Sequence, residues 1–418
     1  MNKGNPGDFV EIRLARREIK GNILESYDND VILVKLDSGY NIGIPKQNVL
    51  GIKILKKFRQ SPPQKSPRKN IGKPKIGLIV TGGTIASKLD FRTGGAKPLT
   101  DVDEFARFYP RLFDKYDVQV SSPFLEASEN MNSFHWKEIA KEAKKMIDDS
   151  EIKGVIITHG TDTLHYTSSA LSFFLRNPRK PVILTFSQRS IDRASSDAEM
   201  NLDCSAKFAT SGCAEVVVIG HASINDDYCY ALRGSKTRKM HSSKRDAFQP
   251  INCQPIARVW PDKIEFISDY RARREVDCEL DDKFENRVAL IKYYPGSDPE
   301  ILDFYKSKKY KGIVIEMTGF GHVAVNGKNS WLPKMKKMID SGIVICSSSQ
   351  TIYGRLDPFV YSNGREIDKA GVIYLRDMLS ETAFIKLGWV LGHKNWKGKE
   401  KEKMLENFAG EFNELITE

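Results

Sequence analysis

The sequence lacks the features that mark a membrane or secreted protein. No apolar run approaches the roughly 18 residues that are needed to span a bilayer. The start of the chain, Met1–Asp8, is polar where a secretory signal would carry an apolar stretch. We therefore expect a cytoplasmic protein, and a composition of 40% hydrophobic and 28% charged residues is typical of a soluble globular one.

Cysteine is also scarce. None of the six cysteines belongs to a C-x-x-C pair or has a histidine at a spacing suited to zinc. This pattern indicates neither a structural metal nor a redox dithiol, so we expect reduced, mostly buried thiols. The cysteines are Cys204, Cys213, Cys229, Cys253, Cys278 and Cys346.

A G-x-x-x-x-G-K-[ST] phosphate loop is missing as well, so ATP is not expected to bind here through such a loop.

Basic residues outnumber acidic ones. The chain has 65 Lys and Arg against 54 Asp and Glu, for a formal net charge of +11. This excess favours an acidic partner such as RNA. A generally basic proteome would give the same number.

The length predicts more than one domain, because 418 residues exceed what a single core usually fills. Alternating apolar residues near the start, such as Val10, Ile12 and Leu14, predict a small all-β barrel. A stretch rich in Pro, Lys and Arg then predicts a linker. The predicted units are the barrel at 1–57, the linker at 58–75, a larger α/β domain at 76–267, a connector at 268–286 and a smaller α/β domain at 287–418.

Strand-length apolar runs alternate with helical periodicity beyond the linker. This alternation predicts an α/β fold, with a larger, doubly wound, mostly parallel sheet and a smaller α/β domain. The final helices are expected at Asp377–His393 and Lys401–Ile416. The polar stretch Lys88–Thr100 is expected to be a loop that covers a site.

The chain is organised around Lys75–Ser87, K-I-G-L-I-V-T-G-G-T-I-A-S. Its apolar run predicts a buried parallel strand, and the two glycines would let Thr84 be presented at the carboxyl end of that strand. A second stretch of the same design, Gly154–Thr163, carries Thr161 and Asp162. The plainer interpretation is that both are strand-to-helix turns, since Thr and Asp are good helix caps.

Four motifs, taken in their order and spacing, carry a family resemblance. They are T-G-G-T-I-A-S at 81–87, S-E-N-M at 128–131, T-H-G-T-D-T at 158–163 and K-M-H-S-S-K-R-D-A-F at 239–248. Over about residues 76–395 the chain thus resembles the type I/II L-asparaginase family of Thr-dependent amidohydrolases. The resemblance implies an asparaginase-like two-domain fold behind the barrel.

The resemblance also implies the site residues. These are the catalytic positions Thr84, Thr161, Asp162 and Lys239, and the pair Ser128 and Glu129, which would hold the α-groups of the amino acid. Lys239 is assigned rather than Lys236 because of the D-A-F register that follows it. No metal is implied.

Hydrolysis of a primary amide needs a nucleophile, a base, a proton for the departing ammonia and donors for the oxyanion. A lysine kept neutral by burial and held by an aspartate could act as the base, so that Thr161, Lys239 and Asp162 would form a triad analogous in role to Ser-His-Asp. Thr84 would then be the acyl acceptor, or Thr161 would position a water for direct attack. The sequence leaves both routes open. Backbone N–H groups around 83–85 and Gly160 are the expected oxyanion donors.

One position departs from the family pattern. Family members usually carry a tyrosine in the lid loop, where it is thought to activate the first threonine. The register D-F-R-T-G puts Phe91 at that place, and a phenyl ring cannot move a proton. Another group then activates Thr84, the register of this loop is different, or turnover is slow.

Other segments resemble one branch of the family, the glutaminase subunits of archaeal glutamyl-tRNA(Gln) amidotransferases. They are the Tudor-like barrel sequence at 36–44, Q-R-S-I-D-R-A-S-S-D-A-E-M-N-L at 188–202, I-K-Y-Y-P-G at 291–296 and S-Q-T-I-Y-G-R at 349–355. The resemblance implies L-glutamine as the ammonia donor, with L-asparagine as an alternative. It implies a partner, the E-type subunit of the amidotransferase, that uses ATP and Mg, and tRNA(Gln) bound through the complex, which would be a dimer of heterodimers. This chain itself is expected to bind no cofactor.

Two other functions stay open at this point. A free cytoplasmic L-asparaginase would account for the core motifs, although not for the barrel. A non-catalytic tRNA-binding scaffold subunit would account for Phe91 and the net charge.

Overall fold

The computed structural model describes residues 4–26, 28–36, 41–58, 72–89, 96–98, 102–191, 193 and 195–414. Within these ranges no helix is both long and apolar enough to cross a membrane. All six cysteines are free, and five of them are buried. The expectation of mostly buried thiols is confirmed, with the half-buried Cys253 as the exception.

The N-terminal unit is a five-stranded antiparallel sheet. Its strands are β1 (Phe9–Arg13), β2 (Glu18–Leu24), β3 (Val31–Lys35), β4 (Asn41–Pro45) and β5 (Gly51–Lys56), in the order β4-β3-β2-β1-β5. In β1 the alternation of side chains across the strand buries Val10 and Ile12 and leaves Arg13 exposed. The all-β unit predicted here is therefore confirmed.

The larger α/β unit contains fourteen strands among its described residues. They are β6 (Lys75–Val80), β7 (Ser87–Leu89), β8 (Ala96–Pro98), β9 (Asp117–Ser121), β10 (Ile152–Thr158), β11 (Leu175–Arg176), β12 (Val182–Thr185), β13 (Val216–His221), β14 (Cys229–Arg233), β15 (Thr237–Lys239), β16 (Phe248–Pro250), β17 (Ala257–Val259), β18 (Ile264–Phe266) and β19 (Glu279–Leu280). Eight of them form one sheet in the order β18-β17-β14-β13-β12-β10-β6-β9. The five strands from β13 to β9 are parallel to one another, and β14, β17 and β18 extend the sheet through antiparallel pairings.

Helices cover both faces of this sheet. They are α1 (Val102–Phe108), α2 (Pro110–Lys115), α3 (Ser133–Asp148), α4 (Leu164–Phe174) and α5 (Ala198–Ala209). Along β10, Val155 and Ile157 pack into the core with α3 and α4, while Ile156 packs into the opposite core with α1, α2 and α5. Consecutive buried residues with helices on both sides explain the unbroken apolar run, and the doubly wound arrangement is confirmed.

The smaller unit is a four-stranded parallel sheet with its own helices. Its elements are β20 (Val288–Lys292), α6 (Ile301–Ser307), β21 (Gly312–Met317), α7 (Leu332–Asp340), β22 (Val344–Ser349), α8 (Ser362–Lys369), β23 (Ile373–Tyr374), α9 (Ser380–Gly392) and α10 (Glu400–Leu405). Helix α9 packs against α4 of the larger unit, where Phe173 stacks on Trp389 with ring centroids 5.4 Å apart. The two units therefore share part of one core.

Two local predictions are wrong. The lid stretch Lys88–Thr100 is not only a loop, because β7 and β8 pair as an antiparallel hairpin, with Ser87 opposite Pro98. The expected helix Lys401–Ile416 ends at Leu405 with α10, and the chain continues without helical structure to residue 414. Gly410 has a φ of 71°, which a continuing right-handed helix cannot contain, and the segment instead packs back on the protein.

Candidate active site

Two strand ends meet at the carboxyl edge of the large sheet. Strands β6 and β10 are parallel neighbours with Val80 opposite Thr158, so the turns that follow them lie side by side. The Thr81 hydroxyl donates a 2.7 Å hydrogen bond to the Thr158 carbonyl oxygen and joins the two strand ends directly. The structure therefore brings the Thr84 turn and the Thr161 turn to the same edge.

Glycines allow these turns to touch. Gly83 has a φ of 82°, and a Cβ atom there would lie 2.5 Å from the carbonyl oxygen of His159. A Cβ atom on Gly160 would lie 2.7 Å from the Ser128 Oγ of a third turn. Both distances are shorter than real Cβ contacts, so only glycine permits this packing. The Thr163 hydroxyl adds a 2.6 Å bond to the Ser128 carbonyl, which ties the third turn to the second.

Lys239 reaches this edge from the hairpin of β15 and β16, in which it lies opposite Phe248. Its Nζ donates to the Thr161 Oγ1 at 2.8 Å and to the Asp162 Oδ1 at 2.8 Å. The Lys239 side chain is only 11% exposed, whereas the Asp162 side chain is 65% exposed. Three of the six predicted site residues thus form one hydrogen-bonded chain that runs from the protein interior towards solvent.

Lys236, the alternative that the sequence offered, has a different place. Its side chain is fully buried and lies 2.6 Å from the Asp377 carboxylate of the smaller unit. It cannot reach Thr161 while it is held there.

Thr84 begins a 3-10 turn, Thr84–Ala86, directly after Gly83. The turn is held by the Ser87 hydroxyl, which donates to the Gly83 carbonyl at 2.8 Å, and by the Tyr109 hydroxyl, which donates to the Ile85 carbonyl at 2.5 Å. Thr84 itself is half-buried. Phe91 lies outside the described residues, so the departure at that position stays a sequence observation.

Ser128 and Glu129 share a further 3-10 turn, Ser128–Asn130. Ser128 is buried against the Gly160 turn, and Glu129 is exposed. The neighbouring Glu126 carboxylate accepts from the Asn130 amide at 2.8 Å and from the Ala127 backbone N–H at 3.1 Å, and these hydrogen bonds lower the Glu126 pKa. Glu126 therefore braces the turn. The sequence did not reveal this role, because Glu126, Glu129 and Asn130 lie within five residues and their order does not show which of them holds the turn.

Two histidines that sequence reasoning also missed lie behind the threonine turns. His159 is fully buried, with Nδ1 2.7 Å from the Gly160 carbonyl oxygen and Nε2 2.8 Å from the Thr167 hydroxyl, and burial lowers its pKa to about 4. Nδ1 must then carry the proton that is donated to Gly160. Burial, with the positive charge of Arg238, lowers the pKa of His165 to about 3. Both rings are neutral near pH 7, and the two hydrogen bonds of His159 brace the Gly160 turn without adding charge.

Glu381, at the start of α9, completes this buried layer. Its Oε1 lies 3.2 Å from an Arg238 guanidinium nitrogen and 3.8 Å from the His165 Nε2. Burial raises the Glu381 pKa. The smaller unit thus contributes a side chain directly behind the strand that carries Lys239, and no local sequence motif marked that contact.

Comparison with known proteins identifies the class first. The family model "Asparaginase, N-terminal" matches residues 75–271, and "Glutaminase/Asparaginase C-terminal domain" matches residues 287–405. The solved L-asparaginase of Thermococcus kodakarensis is 32% identical with a TM-score of 0.73, covering 81% of this chain and 99% of that one. L-asparaginase I of Vibrio cholerae is 25% identical with a TM-score of 0.71, covering 82% and 100%. The fold is that of an asparaginase-type amidohydrolase.

The N-terminal sheet places the chain in one branch of this class. The model "GatD N-terminal domain" matches residues 5–55. The D-type subunit of the glutamyl-tRNA(Gln) amidotransferase of Thermococcus kodakarensis is 46% identical over 97% of this chain and 94% of that protein. The corresponding D-type subunit of Sulfolobus acidocaldarius is 43% identical over 97% and 91%. The chain belongs to this family of D-type glutamyl-tRNA(Gln) amidotransferase subunits.

Proposed function

We propose that this chain is the glutaminase subunit of a glutamyl-tRNA(Gln) amidotransferase and that it releases ammonia from L-glutamine. The observation that carries the proposal is the hydrogen-bonded chain from Thr161 through Lys239 to Asp162, with two 2.8 Å contacts, beside the Thr84 turn. It joins a hydroxyl to an amine and the amine to a carboxylate. These are the groups that amide hydrolysis requires for proton transfer.

In this proposal the deprotonated amine of Lys239 accepts the proton of the Thr161 hydroxyl, and Asp162 orients that amine. As the Thr84 Oγ attacks the carboxamide carbon of glutamine, the Thr84 hydroxyl proton passes to the Thr161 oxygen, and the Lys239 ammonium donates its proton to the carboxamide nitrogen. The C–N bond then breaks, which leaves a glutamyl ester on Thr84 and releases ammonia. Water then hydrolyses the ester and regenerates Thr84. In the alternative route Thr161 and Lys239 activate a water that attacks the carboxamide directly. Either way, backbone N–H groups of the Gly83 and Gly160 turns would stabilise the oxyanion.

Ser128 and Glu129 are proposed to hold the α-amino and α-carboxylate groups of the substrate. Their support is the packing of Ser128 against Gly160 and the exposure of Glu129 on the same turn. The side chain of the amino acid would then extend towards Thr84 and Thr161.

The partner is proposed to be the E-type subunit of the amidotransferase, which would use ATP and Mg to activate the tRNA-bound glutamate that receives the ammonia. The support is membership of the D-type family together with the N-terminal sheet, which matches the family model specific to it. Two copies of each subunit would form the complex, tRNA(Gln) would bind through it, and this chain would hold no cofactor. A cytoplasmic location fits such a role in protein synthesis.

A free L-asparaginase is the second candidate, because the solved L-asparaginases align with about four fifths of this chain. Ammonia release from glutamine and from asparagine, with and without the E-type partner and glutamyl-tRNA(Gln), separates the two functions. We expect release from glutamine that rises when partner and tRNA are present. Fast release from asparagine by the isolated chain, unchanged by the partner, would favour the free enzyme.

The Thr84 route has its own test. Quenching the reaction with acid in the steady state should trap a glutamyl ester on the peptide that contains Thr84, detected by mass spectrometry. Thr161→Val should abolish ammonia release in the folded protein, whichever route applies. Full activity in Thr161→Val would remove the hydrogen-bonded chain from the mechanism.

A further inference from the structure

A fully buried ion pair lies three residues before Lys239. The Nζ of Lys236 contacts the Asp377 Oδ2 at 2.6 Å and the Asp377 carbonyl oxygen at 3.2 Å, and neither side chain is exposed to solvent. The Asp377 carboxylate also accepts from the Asn413 backbone N–H, at 3.2 and 3.3 Å. Burying two charges costs about as much as their attraction returns, so stability alone is a weak reason for such a pair. Its value lies in fixing one geometry.

The chain after α10 runs back to the same place. We call residues 406–413 the strap. On the side of the smaller unit, the Nζ of Lys386 on α9 donates to the Glu411 carboxylate at 2.6 Å and to the Met404 carbonyl at 2.9 Å. On the side of the larger unit, the Ser235 hydroxyl donates to the Ala409 carbonyl at 2.8 Å.

The strap and Asp377 hold both ends of one hairpin. Ser235 and Lys236 directly precede β15. Asn252 follows β16, and its backbone carbonyl accepts a hydrogen bond from the side-chain amide of Asn413. The hairpin itself has only three residue pairs, from Thr237 with Pro250 to Lys239 with Phe248. A two-stranded ribbon of this length has little stability of its own. The position of Lys239 therefore depends on what holds the base of the hairpin.

We propose that Lys236 and Asp377 are positioning residues that, with the strap, keep the Lys239 amine within hydrogen-bonding distance of Thr161. The pair acts through the hairpin and touches neither threonine. The inference rests on the proposed function for the role of Lys239. It makes the C-terminal unit part of the machinery that sets the geometry of the candidate site.

The test replaces both members of the pair, as Lys236→Met with Asp377→Leu. This double variant removes both buried charges, so it avoids the unpaired charge that either single change would leave. Asp377→Leu also removes the carboxylate that accepts from the Asn413 backbone N–H, and Lys236→Met removes the amine that donates to the Asp377 carbonyl. We expect kcat for ammonia release to fall about 100-fold with little change in KM, because a displacement of about 1 Å can cost that much.

A matched control lies at the other end of α9. Asp281 and His393 form a second buried pair, of a carboxylate with an imidazole, in which the His393 Nε2 lies 2.9 Å from the Asp281 Oδ1. The helix between the two pairs is 13 residues long, about 20 Å at 1.5 Å per residue. We expect Asp281→Leu with His393→Leu to keep kcat at a comparable thermal midpoint. Wild-type kcat in a folded Lys236→Met/Asp377→Leu variant would overturn the proposal, and so would an equal loss in both double variants.

A milder variant and a second readout serve if the double variant does not fold. Asn413→Ala removes the amide that reaches Asn252 and leaves the ion pair in place. The readout is the rate at which an acylating reagent modifies Lys239, followed by peptide mass spectrometry. In the wild type this rate should be low because the side chain is 11% exposed. We expect a several-fold rise in Asn413→Ala, and an unchanged rate would contradict the proposal.

This readout does not depend on turnover. If the wild-type chain releases no ammonia from any amide, the proposed function fails, while the labelling rates still decide whether the strap holds Lys239.

Discussion

Two lysines three residues apart on this chain, Lys236 and Lys239, each pair with an aspartate, and the surroundings of the two pairs differ. Lys236 and Asp377 have no exposed side-chain surface, and Asp377 receives a further backbone donor. Lys239 and Asp162 are 11% and 65% exposed, and Lys239 also contacts a hydroxyl group. The same two residue types thus form a contact closed off from solvent in one place and, in the other, a contact that is open to solvent on the Asp162 side. Burial and completeness of hydrogen bonding, rather than residue type, separate structure from chemistry here.

The largest effect should come from the Lys239–Asp162 pair. Lys239→Met removes the proposed base, and we expect ammonia release to fall about 10³-fold, within the 10² to 10⁴ that a positioned base contributes. The free energy of unfolding should change by less than about 1 kcal/mol, because the pair is partly exposed. Kinetics and urea denaturation measure both. Lys244→Met, on the exposed loop of the same hairpin, is the control and should behave as wild type.

The buried pair should show the opposite balance. Lys236→Met leaves the Asp377 carboxylate buried without its cation, and we expect the free energy of unfolding to fall by about 3 to 5 kcal/mol. Denaturant midpoints at pH 7 measure this loss against the same Lys244→Met control. A loss below about 1 kcal/mol would show that the two pairs are not different in kind.

The pH dependence of stability tests the buried histidine behind the threonine turns. The His159 pKa is lowered from 6.5 to about 4 by burial, so the unfolded chain binds more protons than the folded one between these values. The contribution of His159 to the free energy of unfolding is therefore fully present above about pH 6.5. It is lost as the pH falls towards 4, by up to about 3 kcal/mol. The difference in unfolding free energy between pH 7 and pH 4.5 should shrink in His159→Gln. An equal pH dependence in both proteins would exclude His159 as a source.

The smallest effect should come from Asp162. Asp162→Asn keeps a side-chain oxygen near Lys239 but removes the charge, and the site is open to solvent. We expect ammonia release to fall about tenfold, the range of one hydrogen bond to a charged group, with unchanged thermal stability. If Asp162→Asn were as damaging as Lys239→Met, the carboxylate would do more than orient the amine.

Local pattern was sufficient for much of the fold. The apolar run before Thr84 predicted a buried strand, and β6 is one because helices cover both of its faces. The two glycines predicted a tight turn, and Gly82 and Gly83 both have positive φ. The helix predicted over Lys401–Ile416 stops at Leu405 because Ala409 and Phe412 are buried in the non-helical strap, where the Lys386–Glu411 pair and local hydrogen bonds replace helical ones.

The sequence by itself determined the strand-turn units, the presence of an N-terminal all-β unit and, through the resemblance of its motifs, which threonines, aspartate and lysine to examine. Only the tertiary structure decided that Lys239 meets Thr161 across 78 positions of chain, while Lys236 turns to Asp377 across 141. The physical reason is that strands and turns follow from neighbouring residues, whereas the partner of a lysine follows from which surfaces pack together. That packing is settled by the whole core, and no spacing along the chain records it.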